Sequence, residues 1–494
     1  MKHNASILLS YLLPRLQDLV FITVFLFGMM LGPRFIGDGD TGRHIVVGKI
    51  IVTEQYIPVI DVFSHTKSGL LLTTTEWLSE AVFAIAYLAM GLNGVVLLSA
   101  ILIGVTFALV FHDTFQNNRS FIFSFGLILL IAFATLFHWL ARPHLFSWLM
   151  LAIWLPRMDQ LARGDTRNVW QFPLLMLLWA NLHGGFILGI LVCAAYLAGW
   201  LVEYLRKEAV SVNAFKNLLI AGVLSLLVTL INPSGMGLWK NVFGHVGDRE
   251  LMTIHIEWLS PDFHNPNTWP FLIFIVLLVL SFSSSGQSVK SGRSFLATGM
   301  ILLGLYSVRN IPFSMITCLP ILGTVSRDFL RFDTLQQIEQ KLYAMQAGLR
   351  GGAWSLLTVI AIASLLISGQ SVDIFHQGNV FDSSLFPVRA VDWLAVHPQS
   401  GNVFNEFTWG GYILFRLWPE QKVFIDGQTD FYGADLAADY LTVLNARKGW
   451  KDILEEYEID WVLLPRGVPL VEMLKTDSRW RTLYEDNISI ILKK

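Results

Sequence analysis

Long runs without charged side chains alternate with short polar loops through most of the chain. Asp, Glu, Lys and Arg are absent from residues 81–112, 120–141, 168–202, 217–239, 263–289 and 351–372. Because a helix needs about 20 apolar residues to cross the hydrocarbon core of a bilayer, these runs predict membrane-spanning helices. The run 168–202 is long enough for two helices, and we expect it to break at its polar centre, near Asn181 and His183.

The pattern predicts about eleven transmembrane helices and hence a mainly α-helical polytopic membrane protein. A further helix at 75–91 is expected either to cross the membrane or to lie along its surface. The predicted spans are residues 16–33, 93–112, 121–138, 145–157, 170–182, 186–203, 217–232, 268–282, 294–308, 311–325 and 352–370.

The pattern changes after residue 371. Residues 373–494 contain 12 basic and 18 acidic side chains, and short strand-like runs alternate with helix-like runs. We therefore predict two domains: a transmembrane domain, 1–371, with a long first outer loop at 34–78, and a C-terminal α/β domain, 372–494. The strand-like runs are Asn402–Phe404, Lys422–Ile425, Trp461–Leu464 and Ile488–Leu492.

Basic residues are concentrated in one set of loops, which by the positive-inside rule places the N-terminus in the cytoplasm. The C-terminal domain then lies outside, and the expected location is the plasma (inner) membrane, crossed many times. Composition agrees with this interpretation, since 54% of the residues are hydrophobic, 15% are charged and the mean hydropathy is +0.55. A net charge of −2 gives no reason to expect a nucleic-acid partner.

The first outer loop carries a pair of carboxylates, Asp38 and Asp40, directly after the first predicted span. The glycines around them allow a ligand to approach the backbone closely. Such a pair can hold a divalent cation, Mg²⁺ or Mn²⁺, or supply a general base. The alternative is a solvated Asp-Gly turn. Glu76 follows in the same loop, and such a density of acids beside lipid favours a functional site.

The next outer turns carry cations and histidines. Arg142 and His144 lie in one turn, His183 in another and Arg309 in a third, and we predict that they bind a phosphate. The alternatives are an arginine that reaches to the interface, a histidine that caps a helix junction, and an ordinary turn at Arg309.

Two further groups suit an acceptor or a sugar. Glu257 can accept hydroxyl hydrogen bonds and Trp258 can stack on a pyranose ring, unless both belong to an interfacial helix. In the tail, Trp409 and Tyr412 flank a Gly-Gly turn that opens a helix, and we expect them to face the same cavity. The alternative is a turn in the core of the α/β domain.

The order of these motifs resembles the GT-C superfamily of integral-membrane glycosyltransferases. An acidic motif, Asp38-Gly39-Asp40, follows the first span, the polar residues lie in outer loops, and a soluble domain follows the last span. A fainter likeness joins the chain to the catalytic subunit of oligosaccharyltransferases. Thr408–Tyr412 stands where that family has a Trp-Trp-Asp-Tyr-Gly motif but lacks the Asp, and Thr253–Glu257 only approximates its Thr-Ile-x-Glu motif.

The resemblance implies a GT-C-like fold and the transfer of a sugar from a polyprenyl-phosphate-linked donor on the extracytoplasmic side. It implies that Asp40 acts as the base, with Asp38 as its partner or as a metal ligand. The expected partners are the donor lipid, membrane lipids and an acceptor that is a glycan, a lipid or a protein, in glycan biosynthesis of the cell envelope. The alternatives are a lipid or glycan transporter or flippase and a non-catalytic envelope-assembly protein.

Overall fold

The computed structural model describes residues 10–165, 169–244, 256–284, 289–326, 333–368 and 379–494. Most of the chain before residue 369 is helical. The helices of this part are Leu16–Met30, Gly32–Phe35, Gly39–Glu54, Trp77–Asn118, Phe121–Thr135, His144–Ala162, Gln171–Leu182, Ile187–Leu205, Val212–Val228, Gly237–Gly244, Trp269–Ser284, Ser291–Tyr306, Ile311–Val325, Asp333–Ala347 and Ala353–Ser368.

A helix lies at each of the eleven segments for which the sequence predicts a span. Six helices of the described residues are long and apolar enough to cross a bilayer, and three shorter ones are also apolar. The protein is therefore a multi-pass membrane protein, while the count of eleven spans stays a prediction. The six are Ser10–Met30, Trp77–Asn118, Phe121–His138, Gly184–Leu205, Pro266–Ser283 and Val308–Val325.

The helix expected at 75–91 is the first half of Trp77–Asn118, and the predicted span 93–112 is the second half. The two halves meet at Met90 and Gly91, where Gly91 has a φ of 59° and ψ of −150°. This conformation breaks the helix and is accessible to glycine because it has no Cβ. The second half forms the centre of the bundle, where the helix packs against Leu16–Met30 and Ile311–Val325.

The tail forms a four-stranded sheet with strands β1 (Asn402–Asn405), β2 (Ile459–Pro465), β3 (Arg481–Glu485) and β4 (Ser489–Lys493) in the order β1-β2-β4-β3. β1 and β2 are parallel, and the other two pairs are antiparallel. A separate hydrophobic core lies beneath this sheet. The helices of the tail are Val388–Val396, Gly410–Leu417, Thr429–Leu444, Trp450–Glu456 and Pro469–Thr476.

One predicted strand, Lys422–Ile425, is not part of the sheet. Val423 instead pairs with the first outer loop: its amide donates to the carbonyl of Phe63 at 3.0 Å, and its carbonyl accepts from the amide of His65 at 3.0 Å. Val423 thus forms an isolated bridge with a distant segment, and the run is not a strand of the sheet. The predicted domain boundary at residues 371 and 372 lies outside the described residues, so the division into two domains stays a prediction.

The tail and the first outer loop also meet through glycine backbones. A Cβ on Gly39 would overlap the carbonyl oxygen of Thr408, and a Cβ on Gly411 would overlap the carbonyl oxygen of Gly39. The N-terminus of helix Gly39–Glu54 therefore lies directly against helix Gly410–Leu417. The glycines beside the two aspartates permit this contact between helices; the sequence had suggested that they admit a ligand.

We predict that Gly411→Ala destabilises the protein by about 1–3 kcal/mol, because the added methyl forces apart two backbones in contact. Gly299→Ala is the matched control, since a Cβ there meets no atom within 4 Å. The measurement is the melting temperature of the purified protein in detergent. Equal melting temperatures for the two variants would contradict the close contact.

Candidate active site

A polar cavity of about 270 Å³ opens where the first outer loop, the turns at residues 142–144, 183 and 309, the residues Asn241, Glu257 and Trp258, and the tail come together. Eight of the residues predicted from the sequence as site residues line it. They are Asp40, Glu76, Arg142, His144, His183, Glu257, Trp258 and Arg309. Asp38 lies behind them, next to Arg142. The structure thus brings together residues from separate loops, while the chemical role of each remains a prediction.

Trp409 and Tyr412 do not line the cavity, contrary to the position expected from the sequence. Trp409 is 4% exposed and donates from Nε1 to the carbonyl of Leu385, and Tyr412 is 1% exposed and packs on Phe381 and Phe386. Both side chains are held in the interior because the Gly-Gly turn between them is pressed against the first outer loop. Of the other predicted motif, Thr253–His255 lies outside the described residues.

Residues 427–431 supply the tail's contribution to the cavity instead. They follow Asp426, the end of the extended run that pairs with the first outer loop. The sequence signal was a cluster of polar residues, Gln428, Thr429 and Asp430, directly after an apolar run. Loops held by a rigid scaffold are where functional side chains gather.

Asp38 and Asp40 lie at the start of helix Gly39–Glu54, where the helix dipole and the unpaired amides favour carboxylates. Asp38 is the N-cap and accepts from the amide of Asp40 at 3.0 Å. Arg142 joins the two acids: Nη1 donates to Asp38 Oδ2 at 2.9 Å, and Nη2 donates to Asp40 Oδ2. Glu257 approaches the same guanidinium at 3.7 Å.

Burial raises the pKa of Asp38 to about 6, while the charge of Arg142 opposes the rise and that of Asp40 adds to it. Asp38 and Asp40 in turn change the pKa of Arg142. Burial alone would lower the pKa of Arg142, but Asp38 and Asp40 raise it above its ordinary value. Arg142 is therefore a permanent cation between two carboxylates, one of which changes its protonation near pH 6.

The arrangement does not fit a divalent cation bound by the two aspartates. The described part of the chain contains no group of three or more His, Cys, Asp or Glu placed to hold a metal ion. Arg142 already bridges one oxygen of Asp38 and one of Asp40, so that the place between them is taken by a guanidinium. The expected cation site therefore has no structural support in these contacts.

Arg43 was not singled out as a site residue by the sequence. It is 3% exposed and lies three residues after Asp40 on the same helix. Its Nε donates to Asp426 at 3.1 Å, its Nη2 donates to Gln428 at 2.6 Å, and its Nη1 lies 3.8 Å from Glu80. The charge is thereby paired inside the protein, and it ties the tail segment beside the cavity to the first outer loop.

A second group of acids and histidines forms the opposite wall. His44 Nδ1 lies 3.1 Å from Glu80, and its Nε2 lies 3.9 Å from Glu76. Burial disfavours the charged form of His44, but the hydrogen bond to Glu80 and the charge of Glu76 raise its pKa overall. Burial raises the pKa of Glu76, and His44 opposes that rise. His44 and Glu76 both line the cavity.

His183 is held in one tautomer by its neighbours. Trp179 Nε1 donates to Ser147 Oγ at 2.7 Å, so the hydroxyl is left to donate to His183 Nδ1 at 2.7 Å, and the amide of Gly185 donates to the same nitrogen. The proton therefore sits on Nε2, which lies 3.5 Å from Glu76. Burial, and then Arg309, lower the pKa of His183 well below its ordinary value.

His144 is neutral for a similar reason, since burial, then His138, lower its pKa well below the ordinary range. Its Nε2 donates to the carbonyl of His138 at 2.9 Å. Of the residues predicted to hold a phosphate, the two histidines are thus neutral and the two arginines supply positive charge. Arg309 lies with its guanidinium 5.5 Å from the ring centroid of Trp258.

Comparison with proteins of known structure identifies the type of fold. The sequence matches no known protein family, and no curated protein matches it. Solved structures of the oligosaccharyltransferase AglB from Archaeoglobus fulgidus do match. The chain has an oligosaccharyltransferase-like fold. The complex with an inhibitory peptide and a dolichol-phosphate has a TM-score of 0.57 at 12% identity, covering 91% of this chain and 69% of that chain.

Two further structures of the archaeal enzyme agree. The form tethered to an acceptor peptide has a TM-score of 0.53 at 12% identity, and the apo form has 0.51 at 11% identity. Each covers 90% of this chain and 69% of the other. The GT-C-like architecture expected from the sequence is confirmed, and at this level of identity the likeness shows the fold alone.

We predict that Arg142→Ala destabilises the protein by about 3 kcal/mol at pH 7.5 and by less at pH 5. Removing the guanidinium raises the pKa of Asp38 further above 6, so the penalty of two unpaired carboxylates is present above that pKa and is relieved below it. The measurement is the melting temperature at the two pH values. Arg416→Ala, which breaks an exposed pair with Asp392, is the control and should show little change at either pH.

Proposed function

We propose that this protein is a membrane glycosyltransferase that moves a sugar from a polyprenyl-phosphate-type lipid donor to an acceptor on the extracytoplasmic side of the membrane. One observation carries the proposal: carboxylates, arginines and an indole from separate loops converge on one polar cavity within an oligosaccharyltransferase-like fold. A dolichol-phosphate is bound in one of the archaeal structures that share the fold, which supports a lipid-linked donor here.

Glycosyl transfer requires that an acceptor hydroxyl loses its proton, that its oxygen bonds to the anomeric carbon, and that the bond from this carbon to the phosphate oxygen breaks. Asp40 is the carboxylate of the acid pair that lines the cavity, and we assign it the acceptance of the proton. Arg142 holds Asp40 in place, so that its carboxylate orients the hydroxyl and takes the proton as the new bond forms.

The departing phosphate gains negative charge, which a nearby cation stabilises more strongly than it stabilises the intact donor. We assign this role to Arg309, whose guanidinium lies over the ring of Trp258, and both side chains line the cavity. Glu257, Glu76 and Asp430 also line the cavity, and we assign Glu257 and Glu76 to the acceptor or the sugar hydroxyls. The neutral Nε2–H of His183 completes that wall as a hydrogen-bond donor.

We further propose eleven membrane spans, a cytoplasmic N-terminus, and a C-terminal α/β domain outside the plasma membrane. The support is the distribution of basic residues between the two sets of loops. In this orientation the cavity opens on the outer side, where lipid-linked donors for the cell envelope would be available.

We predict that Asp40→Asn lowers the rate of sugar transfer by about 10²–10⁴, the range for loss of a general base. The assay is radiolabelled transfer from a lipid extract to acceptors in membranes that contain the variant. Asp435→Asn, an exposed change in helix Thr429–Leu444, is the matched control and should transfer normally. Transfer by Asp40→Asn at the rate of the unmodified protein would refute the assignment.

The orientation predicts the labelling of introduced cysteines. Val396→Cys lies in the tail at a position that is 74% exposed, and Glu208→Cys lies in an exposed loop between two helices. An impermeant thiol reagent should label the first on intact cells and the second only after permeabilisation. The native Cys193 and Cys318 are buried and provide a low background. The reverse labelling pattern would invert the proposed topology.

A further inference from the structure

The strongest unexplained feature of the cavity is the arginine between its two aspartates. Two carboxylates separated by one residue at a helix N-terminus form a donor set suited to Mg²⁺ or Mn²⁺. The structure instead places the guanidinium of Arg142 against both, with one terminal nitrogen on Asp38 and the other on Asp40. The fork of an arginine matches two oxygens in this way, whereas a lysine would provide a single point of charge.

Each of the remaining oxygens of the pair also has a close neighbour in the protein. Asp38 Oδ1 accepts from the amide of Asp40 at 3.0 Å, which closes the N-cap. Asp40 Oδ1 packs directly against Gly427 of the tail, where an added Cβ would overlap it. A metal ion would therefore have to displace the arginine. If it bound both oxygens of Asp38, the helix would lose its N-cap, and if it bound both oxygens of Asp40, the contact of Asp40 with the tail would be lost.

We propose that Arg142 takes the place of a divalent cation in this site, so that the acid pair Asp38 and Asp40 holds a guanidinium and no metal ion. The guanidinium supplies a fixed positive charge at the acid pair and lines the cavity in which a donor phosphate would bring its negative charge. The role toward the phosphate rests on the proposed glycosyltransferase function. The replacement of the metal does not, because it concerns only the contacts of Asp38, Asp40 and Arg142.

The inference predicts a gain of metal binding when the arginine is removed. Arg142→Gln and Arg142→Ala leave two neighbouring carboxylates without a cation, which is a site that Mn²⁺ can fill. In purified full-length protein, 1 mM MnCl₂ (about the concentration at which weak carboxylate sites fill) should raise the melting temperature of these variants by several degrees. Neither MnCl₂ nor EDTA should change the melting temperature of the unmodified protein.

Two controls make the result specific. Adding Asp40→Asn to Arg142→Gln should abolish the Mn²⁺ shift, because one carboxylate of the pair is lost. Arg309→Ala, which removes a different cation of the cavity, should acquire no shift. If both Arg142 variants fail to fold, the paramagnetic signal of Mn²⁺ with the unmodified protein decides the question. Absence of bound Mn²⁺ there supports the proposal.

Mn²⁺ bound by the unmodified protein and lost in Asp40→Asn would overturn the proposal, as would Arg142 variants that fold and gain no Mn²⁺ shift. Neither result depends on transfer activity. Transfer that is lost with EDTA and restored by Mn²⁺ would overturn the inference and leave the proposed function intact. An absence of any transfer, with the predicted gain of Mn²⁺ binding, would refute the function and leave the inference standing.

Discussion

The contact between the start of helix Gly39–Glu54 and the tail is the constraint on which the candidate site depends. Glycines on both sides let the two backbones touch, and the buried guanidinium of Arg43 pairs with Asp426 across the same junction. Burying an arginine is costly unless its partners are in place, so the pairing favours one relative position of the two segments. The position sets Asp40 beside residues 427–431 and thereby forms one wall of the cavity.

The electrostatics of the cavity follow from its burial. Burial disfavours the charged form of each group, which is why the pKa of Asp38 rises to about 6 while the pKa values of His144 and His183 fall. The result is a pocket in which the arginines carry positive charge, while His144 and His183 are neutral. Such a division of roles suits the binding of an anionic lipid head beside a carboxylate that can accept a proton.

Much of the fold could be predicted from the sequence, because lipid requires long apolar helices and these leave a strong signal. Three strands and most helices of the tail were also predictable from alternation. Alternation does not predict the strand Arg481–Glu485, because it is largely exposed and polar, and it predicts a strand at Lys422–Ile425, where Val423 instead pairs with the first outer loop. Periodicity identifies an extended segment and does not identify its partner.

The site was predictable in its residue types and less so in its contacts. Polar residues at the ends of the predicted spans include the eight that line the cavity. Polar groups beside lipid are energetically costly, so those that occur there tend to have a function. The burial of Trp409 and Tyr412 could not be foreseen, since a Gly-Gly turn looks the same whether it faces a cavity or a neighbouring helix. Nor could the pairing of Arg142 with Asp38 and Asp40, which are about a hundred residues distant in sequence.

The most direct test of the central claim is an experimental structure of the protein with a polyprenyl phosphate. The account predicts density for the phosphate inside the cavity, within hydrogen-bonding distance of Arg142 or Arg309 and beside the carboxylate of Asp40. A lipid phosphate bound at another surface, with this cavity closed to it, would contradict the account.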